Sequence, residues 1–340
     1  MEKTNWGILG CGWIANKFAE ALQKTNDSVL KAAAARDGDR AAEFATKWGF
    51  EKSYGSYREL VEDSEVDIIY IATPHSYHFA HTKLCLEGGK HVVCEKPFTI
   101  NARQLKILIA MADEKNLFLM EALWSMFLPG IIKTRVLIEK GTIGEVASMD
   151  VDFGMNFPYD PKHRLFNPYL AGGALLDIGI YPLFLSLFLF GKPESLKAHS
   201  LLNENKIDLT TSLITQSKGG TICNLTSTTR ANTPVKARIF GTKGNIEFNN
   251  WWFTPVDITL RVDEQEDKVL KFPPIANGYE YEAMEAVRCL KEGLTESEMM
   301  PHSFSLMLME QMDRIRKITG ITYPKEIESL DRPYGWDELT

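Results

Sequence analysis

A short apolar run, Trp6-Gly7-Ile8-Leu9, breaks at Gly10-Cys11-Gly12 and resumes at Trp13-Ile14-Ala15, with Phe18, Ala19 and Leu22 following at helical spacing. That pattern is strand, tight glycine turn, helix. Gly10 lets the turn close, Gly12 leaves room for a pyrophosphate against the backbone, and Ala15 keeps the helix close to the sheet. The helix N-terminus then faces the phosphates. A structural glycine turn is the alternative, and one such pattern alone is weak. Its context strengthens it, because Val29 to Ala35 reads as a second strand, Asp39 to Trp48 as a helix and Val66 to Ala72 as a buried strand. Gly10, Gly12, Trp13 and Ile14 are therefore expected to hold a dinucleotide.

With 340 residues, 44% of them hydrophobic, the chain exceeds the size at which one core stops growing. Two domains are expected: an α/β dinucleotide-binding domain over 1–122, and a substrate and oligomerisation domain of α+β type over 123–340. The C-terminal helical segment is left to pack back on the first. A net charge of -7 without a basic block gives no footprint for DNA or RNA. The start, Met1-Glu2-Lys3-Thr4-Asn5, lacks a basic region followed by a long apolar one, so the cytoplasm is the default location. Five scattered cysteines read as thiols rather than disulfides or zinc ligands. The apolar patch Ile178 to Phe190 is read as a buried helix too short for a bilayer, so no membrane role is expected.

The second strand ends at Ala35-Arg36-Asp37, with Arg40 close behind. Arginine where NAD enzymes commonly place a carboxylate favours a 2′-phosphate, hence NADP, although Asp37 leaves NAD open. Thr73, Pro74, His75 and His78 follow the third strand and are expected along the cofactor. His75, His78 and His81 are not expected to bind metal, because Pro74 and Ser76 mark a loop-to-helix transition and no acidic or cysteine ligand joins them. The strand Val92-Val93-Cys94 delivers Glu95 and Lys96 to the ligand-binding edge of a parallel sheet, and Pro97 constrains the turn. Lys96 there can orient a substrate hydroxyl or stabilise a developing alkoxide; an isolated surface ion pair is the plainer alternative.

Beyond Glu145 the pattern changes. Val146 to Phe153, Ser195 to Leu202, Ile207 to Gln216, Gly220 to Thr228, Pro234 to Phe240 and Gly244 to Phe248 read as strands of a largely antiparallel sheet. A helix over Gly172 to Phe190 is expected to cover one face.

The chain resembles the Gfo/Idh/MocA oxidoreductase family, in the branch that holds dimeric dihydrodiol and NADP-dependent xylose dehydrogenases. The likeness rests on Gly7 to Ala15, Ala34-Ala35-Arg36-Asp37, Glu95-Lys96-Pro97-Phe98, Glu121-Ala122-Leu123-Trp124, Ala171 to Pro182 and Glu296 to Pro301. The resemblance implies a Rossmann domain, an open mixed sheet that pairs two subunits as a homodimer, and catalysis by Lys96 with Asp177 and Tyr181. Many relatives carry histidine where this chain has Tyr181, so roles built on that histidine do not transfer.

Asp177 and Tyr181 lie one helical turn apart and are expected on one face; a helix cap and a core aromatic are the structural alternatives. Tyr181 is assigned as acid/base, Lys96 as orienting partner and Asp177 as the tuning carboxylate, with the first two roles open to exchange. Arg164, Trp124 and Phe153 are placed at the substrate end beside Lys96, Asp177 and Tyr181, and Trp124 also beside the cofactor. The expected reaction is hydride transfer between nicotinamide and an alcohol, cyclic diol or sugar carbon. The alternative is an inactive NAD(P)-sensing regulatory protein.

Overall fold

The computed structural model describes residues 3–330. The chain separates into two compact units: one joins the described part of Met1–Trp124 to Ile275–Leu306 and the described residues from Lys325 on, and the other joins Ser125–Pro274 to Met307–Pro324.

The first unit is built on a six-stranded sheet of β1 (Thr4–Leu9), β2 (Ser28–Ala34), β3 (Lys52–Tyr54), β4 (Ile68–Ile71), β5 (His91–Glu95) and β6 (Leu119–Ala122). All neighbours pair in parallel, in the order β3-β2-β1-β4-β5-β6. This is the doubly wound order in which the first strand stands beside the fourth, leaving a crevice for a ligand at the carboxyl ends. Strands such as Ile68–Ile71 are buried throughout, as a parallel sheet covered on both faces requires. The crossovers carry α1 (Trp13–Leu22), α2 (Gly38–Trp48), α3 (Tyr57–Glu62), α4 (His78–Glu87) and α5 (Ala102–Lys115). β3 and α3 escape the sequence reading because neither is long enough to show a period.

In the second unit, α6 (Pro129–Glu139) precedes an eight-stranded sheet of β7 (Val146–Gly154), β8 (Ser195–Leu202), β9 (Asp208–Gln216), β10 (Ile222–Thr228), β11 (Ala237–Gly241), β12 (Gly244–Phe248), β13 (Ile258–Val262) and β14 (Lys268–Leu270). The sheet is mixed, since β10 runs parallel to β7 while every other pair is antiparallel. Its inner face, with Met149, Val151, Leu213 and Leu225, packs under a π-type turn (Leu175–Gly179) and α7 (Ile180–Phe190). The expected helix over Gly172 to Phe190 runs from Ala174, after Gly173 at φ +116°, and its first segment is π-type rather than α. By length and composition, Pro168–Phe190 passes as a membrane span, longer than the patch read from sequence, yet 83% of its most apolar window is buried inside the protein. It is a core segment.

The outer face is largely polar, as the alternation of a half-buried sheet implies. Thr210, Ser212, Asn224 and Thr226 occupy outward positions beside Leu201, Ile214 and Ile222, and Lys236, Glu247 and Arg261 form ion pairs farther along. The Trp251-Trp252-Phe253 cluster also turns inward in part: Trp252 is fully buried with Nε1 donating to the Asp152 carbonyl (3.0 Å).

Beyond the sheet lie α8 (Glu280–Lys291), α9 (His302–Thr319) and α10 (Lys325–Glu328). In the first unit α8 packs against α1.

Candidate active site

The glycine turn meets the physical test of a dinucleotide cradle. Gly10 adopts φ +99°, and an added Cβ would stand 3.1 Å from the Ala72 carbonyl, so the protein itself demands glycine there. Gly12 differs: its φ is -89°, and an added Cβ would meet only the Ala72 carbonyl at 4.0 Å. Nothing in the chain requires glycine at 12, and the open space at the N-terminus of α1 fits a close-approaching pyrophosphate. Trp13 is 74% exposed on the same turn, an unusual place for tryptophan, and Ile14 follows it into α1.

Asp37 spends its carboxylate on the backbone N–H groups of Asp39 (3.0 Å) and Arg40 (3.3 Å) as the cap of α2. Arg36 and Arg40 stay exposed, and both charges act on the phenol of Tyr57. Of the two carboxylates here, Asp37 is committed to the helix, while Asp39 stands exposed with Arg36 and Arg40.

Thr73, Pro74, His75 and His78 form the loop after β4. His78 is fully buried, with Nε2 2.8 Å from the Thr73 carbonyl and Nδ1 2.7 Å from the Pro97 carbonyl. Burial pulls its pKa down to about 4, so the ring is neutral and donates one of these two bonds. His81 Nδ1 meets the Thr73 hydroxyl at 3.0 Å, and His75 lies edge-on to His78. These rings brace one loop against another.

Lys96 follows β5, half-buried, and its peptide bond to Pro97 is cis. Three buried carboxyls surround this turn. Glu95 accepts the Tyr70 hydroxyl at Oε1 and the Lys96 N–H at Oε2 (3.1 Å). Glu121 Oε1 accepts the Phe98 N–H at 2.9 Å, and burial pushes this carboxyl up to about 7, opposed by the nearby charge of Lys96. Glu282, on α8, is fully buried with both oxygens lacking a hydrogen-bond partner, and burial together with the charge of Glu95 pushes it well above the ordinary range. A buried carboxyl in that setting holds its proton.

Trp124 is buried and stacks on Tyr279, centroids 4.3 Å apart. Sequence reasoning missed Tyr279 and its segment. Glu280 gathers the N–H groups of Ile275, Ala276, Asn277 and Gly278, while Asn277 Nδ2 donates to the Lys17 carbonyl of α1. The Asn277-Gly278 turn ahead of an acidic first helical turn was the available signal.

In the second unit, Asp177 sits in the π-type turn, only 6% exposed, and Arg164 grips it with Nη1–Oδ1 at 2.8 Å and Nη2–Oδ2 at 3.2 Å. Two parallel charge-assisted bonds fix its carboxylate plane. Tyr181 is buried among Phe153 (5.6 Å between centroids) and Phe253 (5.0 Å), and those two phenylalanines stack at 4.3 Å. Arg164 with Asp177, and Phe153 with Tyr181, are therefore pairs that the fold brings together; Phe253 joins the second from the segment after β12.

Residues 4–123 match the model of the oxidoreductase family with an NAD-binding Rossmann fold, and residues 131–247 that of the GFO/IDH/MocA C-terminal domain. The trans-1,2-dihydrobenzene-1,2-diol dehydrogenase of Mus musculus is 36% identical over 335 residues, covering 94% of this chain and 98% of its own. The enzyme of that name from Xenopus tropicalis is 38% identical over 331 residues, covering 94% and 99%. Among solved structures, a 3-ketoreductase from Actinomadura kijaniata in complex with NADP and TDP-benzene superposes with a TM-score of 0.83 at 25% identity, covering 94% of this chain and 98% of its own. An aldose-aldose oxidoreductase from Caulobacter crescentus shares the fold with a TM-score of 0.85 at 23% identity and the same coverage. On the strength of both domain matches and relatives aligned along nearly its whole length, the chain belongs to the Gfo/Idh/MocA oxidoreductase family, in its dihydrodiol dehydrogenase branch.

Proposed function

We propose that this protein is an NADP-dependent dehydrogenase or reductase acting on the hydroxyl or carbonyl carbon of a small, uncharged polyol, sugar or cyclic diol. The observation that carries this reading is the match to dihydrodiol dehydrogenases across 94% of the chain, together with two family models over 4–123 and 131–247, the segments that hold the glycine turn and Lys96, and Asp177 and Tyr181. The bound nicotinamide supplies a carbon that accepts or gives hydride. The chain supplies the rest. Gly10, Gly12, Trp13 and Ile14 hold the pyrophosphate end, and Arg36 and Arg40 the 2′-phosphate. Thr73, Pro74, His75, Glu95 and Trp124 line the nicotinamide side, and His78 braces the loop behind them. Tyr181 takes the hydroxyl proton, the Lys96 ammonium orients the oxygen and stabilises its developing charge, and Asp177, held by Arg164, tunes the pair. A screen of polyols, aldoses, anhydro sugars and cyclic diols by NADPH fluorescence tests the reading; nucleotide binding with no turnover on any of them would replace it with a sensing role.

NADP preference rests on Arg36 and Arg40 standing exposed where Asp37 is committed to capping α2. Arg36→Ala is expected to weaken NADP binding by about ten- to a hundredfold and NAD binding little, the worth of one charge-assisted contact. Equal loss for both nucleotides, measured as dissociation constants, would refute the phosphate contact.

The open sheet supports a homodimer, in which Leu201, Ile214 and Ile222 lie at the centre of a hydroxyl-rich patch. Light scattering is expected to give about twice the chain mass, and Ile214→Asp to move it toward one chain mass. A wild type that stays monomeric and fully active would exclude the interface. Five free cysteines, four of them buried, fit a reducing, cytoplasmic setting.

A further inference from the structure

We propose that Asp208 is a positioning residue for Asp177, anchoring the turn 172–175 from which Asp177 projects; this rests on the reading that Asp177 takes part in catalysis. Asp208 opens β9 and is fully buried. Its Oδ2 accepts the Leu175 N–H at 2.7 Å and the Thr211 hydroxyl at 2.6 Å. Leu175 is the first residue of the π-type turn, and Asp177 lies two residues on. The other oxygen, Oδ1, faces Gly173, where any added Cβ would stand 2.3 Å away. One carboxylate thus both bonds the turn and shapes it, and Gly173 is the residue small enough to let it do so.

The neighbouring peptide is held from a second direction. The Tyr323 hydroxyl donates to the Gly172 carbonyl at 2.6 Å, and Tyr323 lies beneath the Arg316 guanidinium, whose charge also acts on Asp208. Burying a carboxylate is costly unless it is compensated. Here burial still raises the Asp208 carboxyl to about 6 and leaves Oδ1 without a hydrogen-bond partner, opposed by the Thr211 hydroxyl, the Leu175 N–H and the charge of Arg316; of these the Leu175 N–H belongs to the stretch of backbone that leads into Asp177. Arg164 fixes the Asp177 carboxylate itself; Asp208 fixes the main chain that carries it.

The test is a cycle of Asp208→Ala, Asp177→Asn and the double variant, read by single-turnover hydride transfer and nucleotide dissociation constants, with thermal melting to establish folding. Asp208→Ala is expected to slow transfer by about ten- to a hundredfold with nucleotide affinity unchanged. In the Asp177→Asn background the same substitution should add nothing further. Equal losses in both backgrounds, or an unaltered rate in Asp208→Ala beside a slow Asp177→Asn, would overturn the positioning role alone. Wild-type chemistry in Asp177→Asn would instead remove the catalytic reading of Asp177, and the proposal with it. If Asp208→Ala does not fold, Thr211→Val, which removes one donor and keeps the carboxylate, must show the same coupling at smaller size; equal loss in both backgrounds overturns it.

Discussion

Lys96→Met and Tyr181→Phe are each expected to slow single-turnover hydride transfer by about a hundredfold to ten-thousandfold, the range that a positioned proton-transfer or charge-stabilising group contributes. The Lys96 backbone is tied to Glu95, and Glu95 to Tyr70, while Glu121 secures Phe98 two residues on. Removing the ammonium therefore leaves the turn in place and takes away only the charge. Tyr181→Phe likewise leaves the ring packed against Phe153 and Phe253 and deletes only the hydroxyl. Both variants should melt near the wild type and bind NADP, so the loss belongs to the chemical step. Near-wild-type rates in both would mean that the proton moves by another route.

Glu121→Gln is expected to stabilise the protein at alkaline pH and to do nothing at acid pH. Burial holds this carboxyl at about 7 in the folded state, above its ordinary value of 4.5, so the folded protein binds the proton more tightly than the unfolded chain. Stability then falls as pH rises through the window between those two values and levels off above it. By about pH 8 the ionised group costs the fold about 3 kcal/mol. Glutamine is neutral throughout and keeps an oxygen for the Phe98 N–H. Denaturant melts should therefore coincide at about pH 4.5 and diverge in favour of the variant at about pH 8. A variant less stable than wild type at the higher pH would show that the Glu121 anion is held favourably by its surroundings.

The parts of this protein legible in its sequence are those where one local rule fixes the answer. Gly10 and Gly12 between an apolar run and a helical stripe announced the crossover, and the alternating strands announced the second sheet. The π-type turn Leu175–Gly179 reads in sequence as ordinary helix, because it has no compositional mark; its first N–H bonds Asp208, thirty-three residues away in the chain. Glu282 was equally silent. Its burial depends on a helix from residues 280–291 returning to the first unit, and nothing in Glu280-Tyr281-Glu282 says which carboxylate is capping and which is protonated. Phe253 and Tyr279 stand beside predicted residues for the same reason: pairings across long stretches of chain are set by packing, and one sequence displays only near-neighbour periodicity.

The most direct test of the central claim is to supply NADPH deuterated at the transferring position of nicotinamide C4 together with the ketone or aldehyde forms of the sugar, polyol and cyclic diol panel. The deuterium should appear on the product's carbinol carbon, with transfer slowed by the isotope and lost in Lys96→Met. Tight binding of the labelled nucleotide with no deuterium passed to any member of the panel would contradict the assignment of this protein as a hydride-transferring enzyme of that substrate class.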